Sequence, residues 1–190
     1  MSKIFNPEKM HRLDSKNRRQ LIPPQKVLKM LDLKPGETLL DIGAGIGYFA
    51  IPALEFVGNT GKVIAADISS VMLDELKRRS GTRKNLETLR CSPDAIPLPD
   101  SSANTVLFAF VYHEIDDRVA YLKEIHRLLK DNGEVAIVEW DTVVSPGGPP
   151  LNDRLGMDRV ISETQNAGLV LVKGERINEY QYLVLAKKKY

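Results

Sequence analysis

Asp41 and Asp67 are the residues from which a chemistry can first be read. Each closes an apolar run, Leu39-Leu40 before one and Val63-Ile64-Ala65-Ala66 before the other. After Asp41 and Ile42, glycine falls at alternate positions, Gly43, Gly45 and Gly47, with Ala44 and Ile46 between them. Glycine removes side chains where a backbone turns sharply and a ligand comes close. A helix beginning near Tyr48 would aim its free N–H groups at that ligand. Dinucleotide enzymes prefer G-x-G-x-x-G, which seats a pyrophosphate on the helix N-terminus. Here the spacing is G-x-G-x-G, and Tyr48 stands where the last glycine belongs. Asp41 would repel a pyrophosphate and suits a ligand with a positive charge. Asp67, twenty positions after Gly47, can accept hydrogen bonds from both hydroxyls of a ribose.

A cationic ligand bearing a ribose points to S-adenosylmethionine. The stretch Leu39-Leu40-Asp41-Ile42-Gly43-Ala44-Gly45-Ile46-Gly47-Tyr48-Phe49-Ala50 resembles motif I of the class I S-adenosylmethionine-dependent methyltransferases, and Asp67 matches their ribose-binding acid. The resemblance implies that Asp41, Ile42, Gly43, Ala44, Gly45, Gly47 and Tyr48 line the cofactor, with Asp41 near its amino group. It implies that Ile68 and Met72 flank the adenine. Asp94-Ala95, in the loop Asp94-Ala95-Ile96-Pro97-Leu98-Pro99, is very like the family's adenine loop. There an acid accepts the adenine amino group, and the next backbone N–H reaches the ring; a capping aspartate in a proline loop is the plainer alternative. The product would be S-adenosylhomocysteine.

These residues need a scaffold that brings strand ends to one edge. Strands are expected at 38–42, 62–66, 86–91, 105–111, 134–139, 168–172 and 182–186. Helices are expected at 48–56, after Ser69 or Ser70, at 116–130 and at 154–167. Another helix starts at Pro23-Pro24, where proline suits a first turn. Asp131-Asn132-Gly133 reads as a turn. Strand and helix alternate five times, and the short link before the last strand makes a hairpin. That pattern predicts an α/β, Rossmann-like, doubly wound sheet with helices on both faces and one antiparallel strand. The family plan supplies seven strands in the order 3-2-1-4-5-7-6. The resemblance covers about residues 25–187. The division expected is an N-terminal arm over 1–24 and a cofactor-binding domain over 25–190. The basic arm reads as a solvated segment or a short helix, with Phe5, Met10 and Leu13 apolar; small methyltransferases often carry a lid there.

In parallel sheets, ligands bind outside the carboxyl ends of strands. At the end of the fourth strand the chain reads Ala109-Phe110-Val111-Tyr112-His113-Glu114-Ile115. Ala109 and Phe110 are expected at the cofactor. The Asn/Asp-Pro-Pro-aromatic run of base-modifying N-methyltransferases is absent, which argues against an amino group of a nucleic-acid base. The run instead resembles small-molecule enzymes similar to the ubiquinone/menaquinone biosynthesis C-methyltransferases, in which a histidine is frequent at the position of His113. A histidine can deprotonate an acceptor near neutral pH; it can equally cap a helix or pack beside the cofactor. Trp140 lines the acceptor pocket or simply packs. Asp116-Asp117 precedes a helix, where helix-end charge explains it better than a metal pair.

The remaining features exclude more than they assign. The chain has 190 residues, 43% hydrophobic and 27% charged, enough for a real core. A net charge of +2 gives no argument for a nucleic-acid partner. Cys91 is the one cysteine, which excludes an internal disulfide and a cysteine-rich metal site; it argues against the arsenite methyltransferases, which the chain also resembles but which need several cysteines. No apolar run is long enough for a membrane span, so a soluble, cytoplasmic protein is expected; the small-molecule acceptor is what the resemblance implies. Two rivals share the turn: a nicotinamide-dependent oxidoreductase, and an S-adenosylmethionine-binding protein without turnover.

Overall fold

The continuous apolar character of residues 38–42 suits a strand buried on both faces. In the computed structural model, which describes residues 7–93 and 95–189, β1 is Thr38–Ile42 and all but its first residue are buried. The chain divides into two units, one ending at Pro97 and one starting at Leu98. In the first, β1 pairs in parallel with β2 (Lys62–Asp67), and β2 with β3 (Leu86–Arg90). Parallel neighbours need a crossover. It is made by α3 (Ala50–Val57) and α4 (Ser70–Ser80), whose Ala53, Val57, Leu73 and Leu76 are buried. The Ser69 side chain caps α4 by accepting from the Met72 N–H.

Helix α3 starts two residues later than expected. Gly45 and Gly47 have φ of +53° and +85°, which no right-handed helix accommodates, so residues 45–49 stay in turns. Pro52 falls in the first turn, where its missing N–H costs nothing. Ahead of β1 come a 3-10 helix (Pro7–Asp14), α1 (Lys16–Leu21) and α2 (Pro24–Met30), with Pro24 at the expected helix start. Phe5 lies outside the described residues.

In the second unit β4 (Ala103–Ala109) pairs in parallel with β5 (Leu129–Trp140). Then β7 (Gln181–Lys188) runs antiparallel to both β5 and β6 (Leu169–Arg176). The full order is β3-β2-β1-β4-β5-β7-β6, the seven-stranded, Rossmann-like arrangement expected, with β7 the antiparallel strand. Helix α5 is Arg118–Leu128, and Asp117 caps it by accepting from the Ala120 N–H. Helix α6 is Met157–Asn166, shorter than the expected 154–167, because a 3-10 turn at Leu151–Asp153 and an extended Arg154 precede it.

Two boundaries differ for a physical reason. Strand β4 ends at Ala109, because Phe110 takes φ +63° and breaks the extended run. Residues 131–133 lie inside β5 rather than in a separate turn. Asn132 keeps the turn-like φ of +61°, and the β4–β5 pairing slips between Ala103 and Thr105. The turn chemistry has become an irregularity within β5, which carries three more residues than β4 across that step. Among the described residues no helix is long and apolar enough to cross a membrane.

Candidate functional site

Strand β1 carries Asp41 one residue from its carboxyl end, and β2 ends on Asp67. Asp41 is 2% exposed, and its Oδ2 has no hydrogen-bond partner. Burial first, then the nearby Asp67 charge, push its carboxyl up to about 8; the Ala50 amide and the Arg18 charge oppose this. Asp67 is almost as buried, but both oxygens are engaged. Oδ2 accepts from the Gly45 N–H and Oδ1 from the Ser69 N–H, each at 2.8 Å. Burial still raises its pKa, against the bonds from Ser69, Gly45 and Ile68.

The glycine turn has thus used several amides that a phosphate would need. Gly45 donates to Asp67, Ala44 donates to the Ala66 carbonyl, and Gly47 donates to the Ala44 carbonyl. Beside the turn lie two buried carboxyl groups, and these three amides are not free. Gly47 is also sterically required: a Cβ there would lie 2.9 Å from Ile51 and 3.0 Å from Leu76 Cγ. Ile42, Ala44, Tyr48 and Met72 are buried, while Ile68 is half-buried.

The N-terminal segment rests on this turn. A Cβ at Gly45 would meet Leu13 Cδ1 at 3.4 Å. The Arg18 guanidinium lies 4.5 Å from the centre of the Tyr48 ring, and the Tyr48 hydroxyl donates to the Ile22 carbonyl at 2.8 Å. Asp14 bonds Arg19 and Arg79, and Arg79 also donates to the Ile46 carbonyl at 3.1 Å. Leu13 is expected on the apolar face of such an arm, whereas nothing local marks Arg18 as a neighbour of Tyr48.

Asp94 lies outside the described residues. The Ala95 N–H, expected to face a purine, donates to Ser92 Oγ at 3.1 Å, while the residue itself is exposed.

In the second unit Ala109 and Phe110 are half-buried, and Phe110 donates its N–H to the Val138 carbonyl at 2.9 Å. His113 sits in the 3-10 turn Tyr112–Glu114 beyond β4. Its Nδ1 is 2.8 Å from Oε1 of Glu139, a fully buried residue at the end of β5. Burial alone would lower the His113 pKa, but the Glu139 bond and the charges of Glu139, Glu114 and Asp153 outweigh it, and the net shift is upward. Sequence reasoning missed Glu139 as a site residue. Its signal was the one that revealed Asp41 and Asp67: an acid closing an apolar run, here Val135-Ala136-Ile137-Val138.

Trp140 is half-buried, 5.8 Å from the Phe110 ring, with the Arg154 guanidinium 5.2 Å from its ring centre. Arg154 donates to the carbonyls of Asp141, Val143, Gly147 and Pro149, so it holds the loop after β5 in shape.

Comparison with known proteins bears on the family and the fold. Residues 40–137 match the family described as Methyltransferase domain. The ubiquinone/menaquinone biosynthesis C-methyltransferase UbiE of Xanthomonas oryzae pv. oryzae is 34% identical over 125 residues, 64% of this chain and 49% of that protein. The chain spans about half the length of the curated relatives it matches. A SAM-dependent methyltransferase from Aquifex aeolicus superposes with a TM-score of 0.93 at 31% identity, over 98% of this chain and 100% of that one. The [4+2]-cyclase SpnF superposes at 0.75 with 16% identity, over 87% of this chain and 79% of that one, a likeness of fold alone. By the matched domain, the Aquifex relative and the strand order, the chain belongs to the class I S-adenosylmethionine-dependent methyltransferases.

Proposed function

We propose that the chain transfers a methyl group from S-adenosylmethionine to a small-molecule acceptor, in line and without a metal ion. The observation that carries this reading is the pair of buried acids. Asp41 offers an unpartnered carboxylate oxygen that an ammonium group can satisfy, directly or through water. Asp67 has taken the Gly45 amide, and its remaining lone pairs suit a ribose hydroxyl. The Ala44, Gly45 and Gly47 amides are already engaged, which favours a cationic nucleoside over a diphosphate and so this reading over the nicotinamide one. The residues present fit S-adenosylmethionine: Asp41 for the amino group, Asp67 for the ribose, Ile68 and Met72 against the adenine, and the 43–48 turn along the methionine part. We assign Asp94 and Ala95 to the adenine edge, the Ala95 N–H exchanging Ser92 Oγ for the ring when the ligand binds, and Ala109 and Phe110 to the same ligand.

The cofactor supplies an activated methyl group on a sulfonium leaving group. The protein therefore mainly orients the partners and shields them from water. His113 is assigned to the acceptor's proton. Acceptors of the quinone-precursor kind are suggested by the matched UbiE relatives. The N-terminal segment, resting on the glycine turn through Leu13 and Arg18, is assigned as a cover that must shift for exchange. Titration calorimetry with S-adenosylhomocysteine tests the site. Wild type should bind, and Asp67→Ala should weaken binding by about tenfold or more, the equivalent of one charged hydrogen bond. Unchanged affinity in that variant, or saturable binding of NADH instead, rules the assignment out.

A further inference from the structure

We propose that Glu139 is a positioning residue that presents His113 as its Nδ1–H tautomer, leaving Nε2 to take a proton from a neutral, protic acceptor. The inference rests on the methyl-transfer reading above and adds to it a residue and an acceptor class.

Glu139 is fully buried at the end of β5, yet three N–H groups converge on it. Its Oε1 faces His113 Nδ1 at 2.8 Å and accepts from the His113 backbone N–H at 3.2 Å. Its Oε2 accepts from the Trp140 N–H at 3.1 Å. A carboxylate only accepts hydrogen bonds, so Nδ1 is the donor and the lone pair of the neutral ring stands on Nε2. Pinning the turn to β5 needs only the backbone bond. The ring bond does something further: it selects the tautomer and stabilises the imidazolium that forms when Nε2 is protonated.

The charges around the ring narrow the acceptor. Glu139 comes from β5, Glu114 from the same turn as His113, and Asp153 from the 3-10 turn Leu151–Asp153, and all three raise the basicity of His113. Arg154, next to Asp153 in the chain, keeps its charge while it donates to four backbone carbonyls, but the charges that act on the His113 ring are those of the three acids. Three carboxylates repel an anionic acceptor. A base is also superfluous for a carboxylate substrate, which arrives without a proton. A phenolic or enolic hydroxyl, or an acidic carbon, fits both conditions. The proton of that group passes to Nε2, and the electron pair it leaves forms the bond to the methyl carbon. The pair of the broken carbon–sulfur bond stays on sulfur, and His113 later releases its proton to water.

The test uses the full chain labelled with 15N-histidine and long-range 1H–15N NMR, with the His113 signals assigned by their loss in His113→Gln. Wild type should show the Nδ1–H tautomer, with a titration midpoint above that of an ordinary histidine. Glu139→Gln should lower the midpoint by about one unit, tenfold in proton affinity, with S-adenosylhomocysteine affinity unchanged within about twofold. An Nε2–H tautomer in wild type, or an unmoved midpoint in the variant, overturns the proposal. If Glu139→Gln does not fold, the wild-type tautomer decides by itself. Failure of wild type to bind S-adenosylhomocysteine would overturn the cofactor reading, not the tautomer. In the S-adenosylhomocysteine-bound protein, phenol should shift the Nε2 resonance and benzoate should not. A response to benzoate, or none to phenol, overturns the acceptor class.

Discussion

Changing the pH across the range in which Asp41 ionises should change how tightly the chain holds a cationic nucleoside. Asp41 is 2% exposed, and burial together with the Asp67 charge places its carboxyl at about 8. At pH 7 roughly nine molecules in ten therefore carry it protonated. A ligand ammonium pairs with the ionised form, so each unit below 8 costs about 1.4 kcal/mol, or tenfold in affinity. The affinity for S-adenosylhomocysteine should rise about 20-fold between pH 6 and 7.5 and level off above 8. Calorimetry at pH 7 in buffers of different ionisation enthalpy should find close to one proton, about 0.9, released per ligand bound. Asp41→Asn should bind more weakly, release none and lose the slope. The sign for stability follows from the same shift. The folded pKa lies above the unfolded one, so this contribution is fully present below the ordinary carboxylate value and is lost as pH climbs to 8. Asp41→Asn should accordingly gain on wild type in thermal stability as pH rises from 5 to 8 without ligand. Flat affinity from pH 6 to 8 with no proton release would refute the reasoning.

Two further outcomes follow from the first unit. Gly47→Ala meets both a φ of +85° and side chains at 2.9 to 3.0 Å, so it should cost about 1–3 kcal/mol in denaturant unfolding and loosen the turn. Asp14 feels burial that would raise its pKa, but its bonds to Arg19 and Arg79 outweigh that and lower it. The docking it supports is present above the ordinary carboxylate range and is lost as pH falls through the lowered folded value. Asp14→Asn should speed limited proteolysis within residues 7–21 at pH 7, and an unchanged cleavage rate would count against that docking.

Much of the scaffold was legible because its signals are local. Apolar runs of strand length, helical periodicity at 116–130, and prolines and glycines at the boundaries report on neighbouring residues. The boundaries that moved are those decided by partners. Asp131-Asn132-Gly133 has turn chemistry, yet pairing across the sheet absorbs it as an irregularity in β5. Phe110 has good strand propensity, yet it adopts φ +63° where β4 ends, its N–H donating to the Val138 carbonyl. Arg154 reads as a helix start, yet it sits ahead of α6 with its guanidinium on four carbonyls.

By itself the sequence determined that acids end apolar runs and that glycines follow the first of them, since both are facts of order and spacing along the chain. Only tertiary structure decided what those acids meet. Asp67 takes the Gly45 amide, Asp41 keeps an unsatisfied oxygen, and Glu139 finds a histidine 26 residues away. The reason is physical. A residue's type sets which bonds it can make, whereas strand register and burial set which partners and how much water it has, and the ionisation of a buried acid depends on both.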